Sequence, residues 1–287
     1  MNTTTLPKIS IVTPSYNQAQ FIEDTMQSVL GQRYPNLEYI VMDGGSNDGS
    51  ADLIQRCEDQ LAHWQSAKDD GQAAAINEGF ALATGDILAW LNSDDMYMPG
   101  ALKHIAALLD VSKPQIAFGN CIHIHHEKHT AWGSKVPQRH ATLDLRAYDY
   151  LIQPSCFWTR KAWETTGQLN TDLNFSFDWD WFLRAQQKQV TFIPTPEYLS
   201  CYRIHSEHKT GTGGHKRIEE LTHILQTYHS LTLAEAYQRW WKDWRVDKAR
   251  KLLHMTGLNK WNSADKLLHQ LFFRDIPYTN YQLIKTA

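Results

Sequence analysis

Two adjacent carboxylates, Asp94 and Asp95, follow an apolar run that ends at Leu91. Hard divalent cations prefer oxygen ligands, and magnesium commonly takes one or two carboxylates together with phosphate oxygens of a substrate. A metal ion held there would neutralise the negative charge that builds up on a departing diphosphate. Capping of a helix that begins near Pro99 explains the same pair equally well, because aspartate is a favoured capping residue.

Two further polar segments follow apolar runs. Residues 43–50 are rich in glycine and serine, and glycine permits tight turns and the close approach of a ligand to the backbone. Asp43 can accept hydrogen bonds from a base imide or a ribose hydroxyl, and we expect it to lie in an exposed turn. An ordinary strand-to-helix loop built from turn-favouring residues also explains this segment. Residues 13–17 could line a nucleotide pocket with backbone and hydroxyl groups.

The elements that must position these segments alternate between strand and helix patterns. Strands are predicted at residues 8–13, 37–42 and 86–91, and helices at residues 20–30, from Ser50, 71–82 and 99–109. This alternation predicts an α/β fold with a parallel sheet and right-handed crossovers. Ligands of such sheets bind at the carboxyl ends of the strands, which is where the three polar segments lie.

The second half of the chain has a different pattern. Residues 115–131 indicate a hairpin, and residues 190–193 and 198–203 indicate strands. From about Gly211 the pattern is purely helical, and a glycine-rich segment at 211–214 is typical of a hinge. We therefore predict one domain at residues 1–210 and a helical C-terminal extension at residues 211–287.

Taken together, the motifs resemble those of family 2 glycosyltransferases in order and spacing over roughly residues 8–100. They are Thr-Pro-Ser-Tyr-Asn at 13–17, Asp-Gly-Gly-Ser-Asn-Asp-Gly-Ser at 43–50, Asp70-Gly71, the segments 75–79 and 83–86, and Asn-Ser-Asp-Asp at 92–95. The resemblance implies a GT-A fold, which is a Rossmann-like nucleotide-sugar-binding domain with a mostly parallel sheet. It also implies a nucleoside-diphosphate sugar donor with UDP as the expected nucleotide, a Mg²⁺ or Mn²⁺ ion, and inversion at the anomeric carbon.

The resemblance also assigns residues. Thr13 and Asp43 fall on nucleoside-binding positions, and Asp94 and Asp95 fall on the acidic metal motif. The expected nucleotide-sugar contacts are Thr13, Pro14, Ser15, Tyr16, Asp43, Asp70, Asp94 and Arg203. The family often has aspartate where this chain has Asn92. Asparagine keeps an oxygen ligand but removes a charge, so the sequence leaves open which carboxylate contacts the metal.

A direct displacement needs a base that takes the proton of the acceptor hydroxyl. The family's base lies in an acidic segment that opens a helix, and residues 177–184 are similar to it, with Phe177 where glutamate is common. Asp178 falls on the base position and Asp180 on a position that more often supports structure. Favourable interaction with a helix N-terminus is the alternative explanation for both aspartates.

Downstream, residues 202–205 resemble a Tyr-Arg-x-His segment seen in many relatives. His205 is expected to ligate the metal or contact the diphosphate, and Arg203 or Lys209 is expected to pair with phosphate oxygens. An ordinary surface histidine is the alternative. Residues 153–155 resemble a segment near the acceptor and sugar pocket.

Two residue clusters allow a functional and an ordinary explanation. His123 and His125 alternate along a strand near His126 and His129, but no cysteine or carboxylate framework completes a metal site, so we favour ordinary histidines.

Trp240, Trp241, Trp244 and Trp261 alternate with basic residues in the tail. An amphipathic surface that contacts a membrane carrying a lipid-linked acceptor is one explanation. The explanation we favour is a helical cap that packs on the catalytic domain or on a second copy in a homo-oligomer.

The composition of the chain indicates which partners and which cellular location to expect. The 287-residue chain has a net charge of -3, which does not suggest a nucleic-acid binder. Its four cysteines show no CxxC spacing, the first eight residues are polar, and no run of eighteen apolar residues occurs. We expect a cytoplasmic location, with peripheral contact at the inner face of a membrane left open.

We therefore expect a hexosyltransferase-like enzyme with a glycan or lipid-linked glycan as acceptor. A nucleotidyltransferase is the first alternative, but residues 13–18 lack the glycine, lysine or arginine of a phosphate loop. A non-catalytic sugar-nucleotide-binding protein is the second, and the joint presence of Asp94, Asp95 and Asp178 argues against it.

Overall fold

The computed structural model describes residues 6–138, 145–146, 149–206, 208–209, 213–255 and 262–284. The chain divides into two compact units. One unit, here called the sheet unit, comprises Met1–Thr142 and Leu151–Gly211, and the other, here called the helical unit, comprises Leu143–Tyr150 and Thr212–Ala287. The hinge residues 211 and 212 and the predicted tail residue Trp261 lie outside the described residues.

The first half of the sheet unit alternates strands and helices as the sequence predicts. Its elements are β1 (Ile9–Ser15), α1 (Ile22–Leu30), β2 (Leu37–Asp43), α2 (Ser50–Gln55), β3 (His63–Ser66), α3 (Gln72–Leu82) and β4 (Ile87–Trp90). The strand β3 was not predicted, because its four residues are only half-buried or exposed and show no run of apolar side chains.

The second half of the sheet unit adds strands to both sides of long strand β6. Its elements are β5 (Met96–Tyr97), α4 (Ala101–Leu108), β6 (Gln115–His125), β7 (Thr130–Ser134), β8 (Cys156–Thr159), α5 (Arg160–Thr166), α6 (Phe177–Gln187) and β9 (Thr191–Ile204). The predicted hairpin is formed by β6 and β7. The two strands predicted at 190–193 and 198–203 are one strand, because β9 stays paired with β6 through a bulge near Asn120.

The described strands form one sheet in the order β3-β2-β1-β4-β8-β6-β9-β5, with β7 paired to β6. The pairs β3–β2, β2–β1, β1–β4 and β6–β9 are parallel, and the pairs that β8, β5 and β7 make are antiparallel. The predicted α/β class is confirmed. The predicted parallel arrangement covers the first four strands, and the sheet becomes mixed beyond β4.

The register of the central strands brings the three polar segments to one edge. Ser15 lies opposite Asp43, and Val12 lies opposite Trp90, so β1, β2 and β4 end near one another. All seven residues of β1 are buried, as expected for a strand covered on both faces. Helix α3 packs closely against β1 at Gly79, where a Cβ would lie 2.5 Å from a methyl carbon of Val12.

The helical unit consists of α7 (Gly214–Tyr228), α8 (Leu231–Lys242), α9 (Trp244–Met255), α10 (Asn262–Phe272) and α11 (Tyr278–Ile284) among its described residues. Ser230 caps α8, because its hydroxyl accepts a hydrogen bond from the Leu233 amide at 3.2 Å. Trp240 packs against Phe273 and Tyr281 in the core of this unit. Within the described ranges, no helix combines the length and the apolar character that crossing a bilayer requires.

Candidate active site

A cavity of about 680 Å³ opens at the carboxyl edge of the sheet unit. The loops after β1, β2 and β4 form its walls together with residues that follow β3 and β9. Its lining includes Pro14, Ser15, Tyr16, Gly44, Gly45, Lys68, Asp69, Gln72, Asn92, Asp94, Tyr202, His208 and Lys209. We call this space the first cavity. Its position matches the place where parallel α/β sheets bind ligands.

A second cavity of about 230 Å³ adjoins the first. The two cavities share the lining residues Gln72, Asn92, Asn174, Tyr202 and Lys209. The second cavity is also lined by Asp178, His123, Gln153 and Pro154. Gln153 donates a hydrogen bond from its amide nitrogen to the carbonyl of Trp90 at 3.0 Å, which fixes its side chain beside the end of β4. The expected acceptor segment therefore lies next to the expected base.

Hydrogen bonds between the loops after β1 and β2 build one wall of the first cavity. The Asn17 amide donates to Ser46 Oγ at 2.8 Å, and the Asn47 amide donates back to Asn17 Oδ1 at 3.0 Å. The Gly44 amide donates to the carbonyl of Ser15 at 2.8 Å. Pro14, Ser15 and Tyr16 are thereby held against the glycine-rich turn. Ser15 lines the first cavity, and its Oγ is buried and has no hydrogen-bond partner within the described part of the chain.

Asp43 lies beneath this wall and not on its surface. Its side chain is only 2% exposed, so the expected exposed turn was wrong. One carboxylate oxygen accepts hydrogen bonds from the amides of Gly45 and Ser46 at 3.2 and 2.9 Å. The hydroxyls of Ser66 and Ser46 donate to the carboxylate at 2.6 and 2.5 Å. Asp43 therefore shapes the turn that lines the first cavity.

Thr13 and Asp70 also lie outside the lining of the first cavity. Thr13 is buried, and its hydroxyl shares a hydrogen bond with the Tyr39 hydroxyl at 3.0 Å. Asp70 is exposed, whereas its neighbour Asp69 lines the cavity. Asp69 accepts a hydrogen bond from the Gly71 amide at 2.9 Å and lies over Gly44, where a Cβ would be 2.7 Å from its carboxylate. The sequence analysis did not identify Asp69. Gly44 could have indicated that another group packs against this turn, because a glycine leaves room for it.

Asp94 and His205 form a close pair beside the first cavity. The Asp94 carboxylate lines the cavity with its side chain 19% exposed, and it lies 3.1 Å from Nε2 of His205. The imidazole is nearly buried and packs against the Phe21 ring at a centroid distance of 4.6 Å. The expected metal residues that follow β4 and β9 are therefore brought together, although they are more than one hundred residues apart in sequence.

Asp95 has a different environment from its neighbour. Its side chain is fully buried, and burial followed by the nearby Asp94 charge raises its pKa well above the ordinary aspartate value. One carboxylate oxygen accepts a hydrogen bond from the Arg203 amide at 3.0 Å. Asp95 thus ties the loop after β4 to β9 and does not line either cavity. Within the described ranges, no group of three or more histidine, cysteine or acidic side chains could hold a metal.

Arg203 points away from both cavities. Its guanidinium lies over the Phe21 ring at 4.6 Å and within 3.3 Å of the Asp24 carboxylate, and the residue is only 6% exposed. The lysine named as its alternative lines both cavities instead. Lys209 Nζ donates to Gln72 Oε1 at 2.8 Å, and the Gln72 amide donates to Asn92 Oδ1 at 2.8 Å. Lys209 is therefore the cation from this segment that a phosphate in the cleft would meet.

The two aspartates of the α6 segment separate in the structure. Asp178 lines the second cavity, and one of its oxygens accepts a hydrogen bond from the Trp179 amide at 2.8 Å. Asp180 is buried and lies 2.9 Å from Nε of Arg184. The same guanidinium donates to the carbonyls of Thr166 and Gln168 at 3.1 and 2.7 Å. Asp180 is therefore part of the contact between α6 and the loop after α5.

The predicted ordinary histidines lie at the hairpin of β6 and β7. His123 lines the second cavity, whereas the Nδ1 atom of His125 lies 3.2 Å from Glu127 and the Nε2 atom of His126 lies 3.1 Å from the Gln20 amide nitrogen.

Solved structures with similar folds support the assignment of the architecture. The structure of a mannosyltransferase from Pyrobaculum calidifontis, PcManGT in complex with GDP-Man and Mn²⁺, matches with a TM-score of 0.62 and 19% sequence identity. The match covers 99% of this chain and 86% of that protein. Residues 1–349 of TarS from S. aureus in complex with UDP-GlcNAc match with a TM-score of 0.61 and 13% identity, over 92% and 81% of the two chains. The fold is the GT-A fold.

Curated relatives with similar sequences are named as glycosyltransferases. An uncharacterized glycosyltransferase of Mycobacterium tuberculosis is 41% identical over 95 residues, which are 33% of this chain and 36% of that protein. An uncharacterized glycosyltransferase of Rickettsia typhi is 26% identical over 220 residues, which are 72% of this chain and 67% of that protein. The chain thus spans about a third of the length of the first of these relatives.

The sequence profile described as Glycosyl transferase family 2 matches residues 10–181, which is more than half of the chain. The matched range contains the loops after β1, β2 and β4, which line the first cavity, and the segment that carries Asp178. The chain belongs to glycosyl transferase family 2.

Proposed function

We propose that the protein transfers a hexose-like sugar from a UDP-linked donor to a hydroxyl group of a glycan or lipid-linked glycan, with inversion at the anomeric carbon. The observation that carries this proposal is the arrangement of one cleft. Asp94, paired with His205, lines its first cavity, and Asp178 lines the adjoining second cavity. A donor diphosphate in the first cavity and an acceptor in the second would meet between them.

The first cavity has the chemistry of a donor site. Ser15 Oγ and the backbone of the glycine-rich turn offer polar contacts, and Lys68 and Lys209 supply positive charge for phosphate oxygens. We propose UDP as the nucleotide because the structurally similar TarS was solved with UDP-GlcNAc. GDP is the alternative to test, because the similar mannosyltransferase was solved with GDP-Man.

The donor set of Asp94 and His205 fits a Mg²⁺ or Mn²⁺ ion. A carboxylate oxygen and an imidazole nitrogen 3.1 Å apart are close enough to share one ion, and both are ligands that Mn²⁺ accepts. Diphosphate oxygens would complete the coordination from the cavity side. When bound, the ion would supply positive charge that stabilises the departing diphosphate. Asp95 would hold the loop that presents Asp94.

Asp178 would act as the general base. In a single displacement, the acceptor oxygen bonds to the anomeric carbon while the bond from that carbon to the diphosphate breaks, and the acceptor proton passes to Asp178. The attack from the side opposite the leaving group produces inversion. Asp180 is a poorer candidate, because its carboxylate is already paired with Arg184.

We also propose that the helical unit contacts an anionic bilayer through one face of α9. Trp244, Leu252 and Met255 are 70%, 61% and 84% exposed on this face. The exposed residues Lys248 and Lys251 lie between them at helical spacing. Exposed apolar side chains interleaved with lysines are typical of helices that lie at the surface of an anionic membrane. A lipid-linked acceptor would be a component of such a membrane.

The activity can be tested with a panel of UDP- and GDP-sugars in the presence of Mn²⁺ or Mg²⁺. We expect release of the nucleoside diphosphate from one donor class and loss of that release in excess chelator. Release of pyrophosphate from a sugar phosphate and a nucleoside triphosphate would support the nucleotidyltransferase alternative. Binding of a donor without any release in the presence of glycan acceptors would support a non-catalytic binding protein. Full activity in chelator, with no metal retained, would refute the proposed role of Asp94 and His205.

A further inference from the structure

Three aromatic rings form a row across β7, β6 and β9. Trp132 lies opposite His123 in the β6–β7 pairing, and His123 lies opposite Tyr202 in the β6–β9 pairing. The rings of Trp132 and His123 are stacked with centroids 5.3 Å apart, and those of His123 and Tyr202 are 5.6 Å apart. Residues directly opposite one another on neighbouring strands share a face of the sheet. We call these three residues the aromatic row.

The aromatic row begins in the cleft and ends in solvent. Tyr202 lines both cavities, and His123 lines the second cavity together with Asp178. Trp132 is 47% exposed at the outer end of the row, on strand β7. A ligand whose reacting group lies at Asp178 could therefore extend outward past His123 to the exposed ring of Trp132.

The ring of His123 is held in place as a stacking group. Its Nε2 atom lies 2.7 Å from Ser134 Oγ, and burial lowers its pKa, so the imidazole is neutral at neutral pH. A neutral ring stacked on Trp132 adds aromatic surface and leaves no charge to be desolvated by a ligand. This accounts for a histidine that the catalytic proposal does not use.

The second cavity also contains an unsatisfied polar atom. Gln153 is 8% exposed, and its Oε1 atom is buried without a hydrogen-bond partner in the described part of the chain. Buried acceptors of this kind normally have a partner. A sugar hydroxyl in the second cavity would supply one, because it can donate a hydrogen bond to an amide oxygen.

We propose that the aromatic row is a subsite for an acceptor with at least two sugar rings. The reacting ring occupies the second cavity between Asp178, His123 and Gln153, and the following ring stacks on Trp132. Polarised C–H groups on the apolar face of a pyranose pack well against the negative face of an aromatic ring. This inference rests on the proposed function, and it adds that the acceptor is an oligosaccharide.

The test is a binding experiment with defined sugars. Methyl glycosides of glucose, galactose, mannose and N-acetylglucosamine and their disaccharides are titrated by saturation-transfer NMR onto the full chain with UDP and diamagnetic Mg²⁺ present. We expect at least one disaccharide to bind about 3- to 10-fold more tightly than its monosaccharide. The variant Trp132→Ala removes that difference and keeps the monosaccharide affinity, whereas Trp132→Tyr retains most of it. Trp244→Ala, in the helical unit, is the matched control and keeps the difference.

Three results would overturn the subsite. They are equal affinities for disaccharides and monosaccharides in the wild type, no binding of any sugar in the panel, and a disaccharide preference that survives in Trp132→Ala. UDP affinity is measured on the same samples. A wild-type protein that binds UDP but shows no disaccharide preference refutes the aromatic row alone, whereas a protein that binds no nucleotide refutes the proposed function.

Discussion

Asp178 and Asp180 lie on the first turn of α6, two residues apart, but their carboxylates have different surroundings. Both gain from the positive end of the helix dipole. Asp180 faces Arg184 at 2.9 Å, in a set of contacts that joins α6 to the segment after α5. Asp178 lines the second cavity, beside residues that the proposed acceptor would contact. The two positions therefore differ in whether a substrate can reach the carboxylate.

We expect Asp178→Asn to abolish sugar transfer while nucleotide affinity is kept. Asparagine has nearly the same shape, but it cannot take the acceptor proton at neutral pH. The loss of general-base assistance typically lowers the rate by about 10²–10⁴. Transfer is measured with the donor and acceptor that the panels identify, and UDP affinity by calorimetry. Asp180→Asn is the matched control and should lose stability more than rate. Normal transfer by Asp178→Asn would place the base elsewhere.

We expect Asp43 to affect nucleotide binding indirectly, through the backbone turn that its hydrogen bonds hold in place. Four hydrogen bonds reach its carboxylate from the turn and from β3. We expect Asp43→Ala to lower both UDP affinity and the free energy of unfolding, the latter by about 1.5–3 kcal/mol, because buried donors lose a charged acceptor. Urea unfolding and a UDP titration measure the two effects. Asp70→Ala is the control, and its exposed side chain predicts no change in either quantity. An Asp43→Ala protein with full stability would contradict the structural role described here.

At the scale of elements, hydrogen bonds to Glu38 connect β2 with the start of β1 and with the loop before β4. Its carboxylate accepts hydrogen bonds from the Ser10 hydroxyl at 2.5 Å and from the Thr84 amide and hydroxyl at 2.6 and 2.7 Å. The ammonium group of Lys8 lies 2.6 Å away. Burial raises the pKa of Glu38, but the hydrogen bonds from Lys8, Ser10 and Thr84 outweigh it and lower the pKa from 4.5 to about 2.

This lowered pKa predicts a pH dependence of stability. Since the folded-state pKa lies below the unfolded-state value, the stabilisation is complete above the unfolded pKa of 4.5 and is lost as the pH falls through about 2. We expect Glu38→Gln to lower the free energy of unfolding by about 1–2 kcal/mol at about pH 7, because solvent screening reduces the energy that the pKa shift alone implies. The difference from wild type should narrow as the pH approaches about 2. Urea unfolding across this range measures it, and a difference that does not change with pH would contradict the assignment.

The elements of the first half could be predicted because their sequence patterns are local. Apolar runs, capping residues and glycine turns mark β1, β2, β4 and the helices between them. The strand β3 carries no such pattern, because it is a short edge strand beside β2. The continuity of β9 depends on its pairing with β6, which no local pattern encodes.

The segments that form the candidate site could be predicted from the sequence, but the direction of each side chain could not. The Asp70-Gly71 motif lines the first cavity through Gly71, and the carboxylate that faces the cavity belongs to the preceding residue, Asp69, because the loop conformation decides which of two adjacent aspartates faces inward. Arg203 faces Phe21 and Asp24 because strand β9 places alternate residues on opposite faces. The pairing of Asp94 with His205 depends on the neighbouring positions of β5 and β9 in the sheet. These are properties of the tertiary fold.

At the scale of the whole molecule, Trp240 and Trp244 of the tail have different surroundings. Trp240 is 6% exposed and packs in the core of the helical unit itself. Trp244 is 70% exposed, as the membrane explanation requires. Helix α9 carries four basic residues, Arg245, Lys248, Arg250 and Lys251, and one acidic residue, Asp247, in a chain whose net charge is -3. Two of these basic residues, Lys248 and Lys251, lie on the side of α9 that carries the exposed apolar side chains, and Lys251 also pairs with Asp247 at 2.7 Å.

The exposed apolar side chains and lysines of α9 predict that the protein binds anionic vesicles. Trp244, Lys248, Lys251, Leu252 and Met255 lie on one side of α9, and Val246 is buried on the other side. We expect the full chain to sediment with vesicles of phosphatidylcholine and phosphatidylglycerol, and much less with phosphatidylcholine alone. Each basic residue near such a surface contributes about 1 kcal/mol.

The double variant Trp244→Ala, Lys248→Glu should bind the anionic vesicles at least about tenfold more weakly, because it loses an interfacial aromatic ring and reverses a charge. Lys103→Glu is the control, since Lys103 is an exposed lysine of α4 in the sheet unit. It reverses a lysine charge in the same way without changing α9 and should keep the affinity. Equal sedimentation of the double variant and the control would mean that α9 is not the contact. A wild-type chain that does not sediment, but whose mass in light scattering is twice the monomer and falls in the double variant, would assign the face to a second copy of the chain.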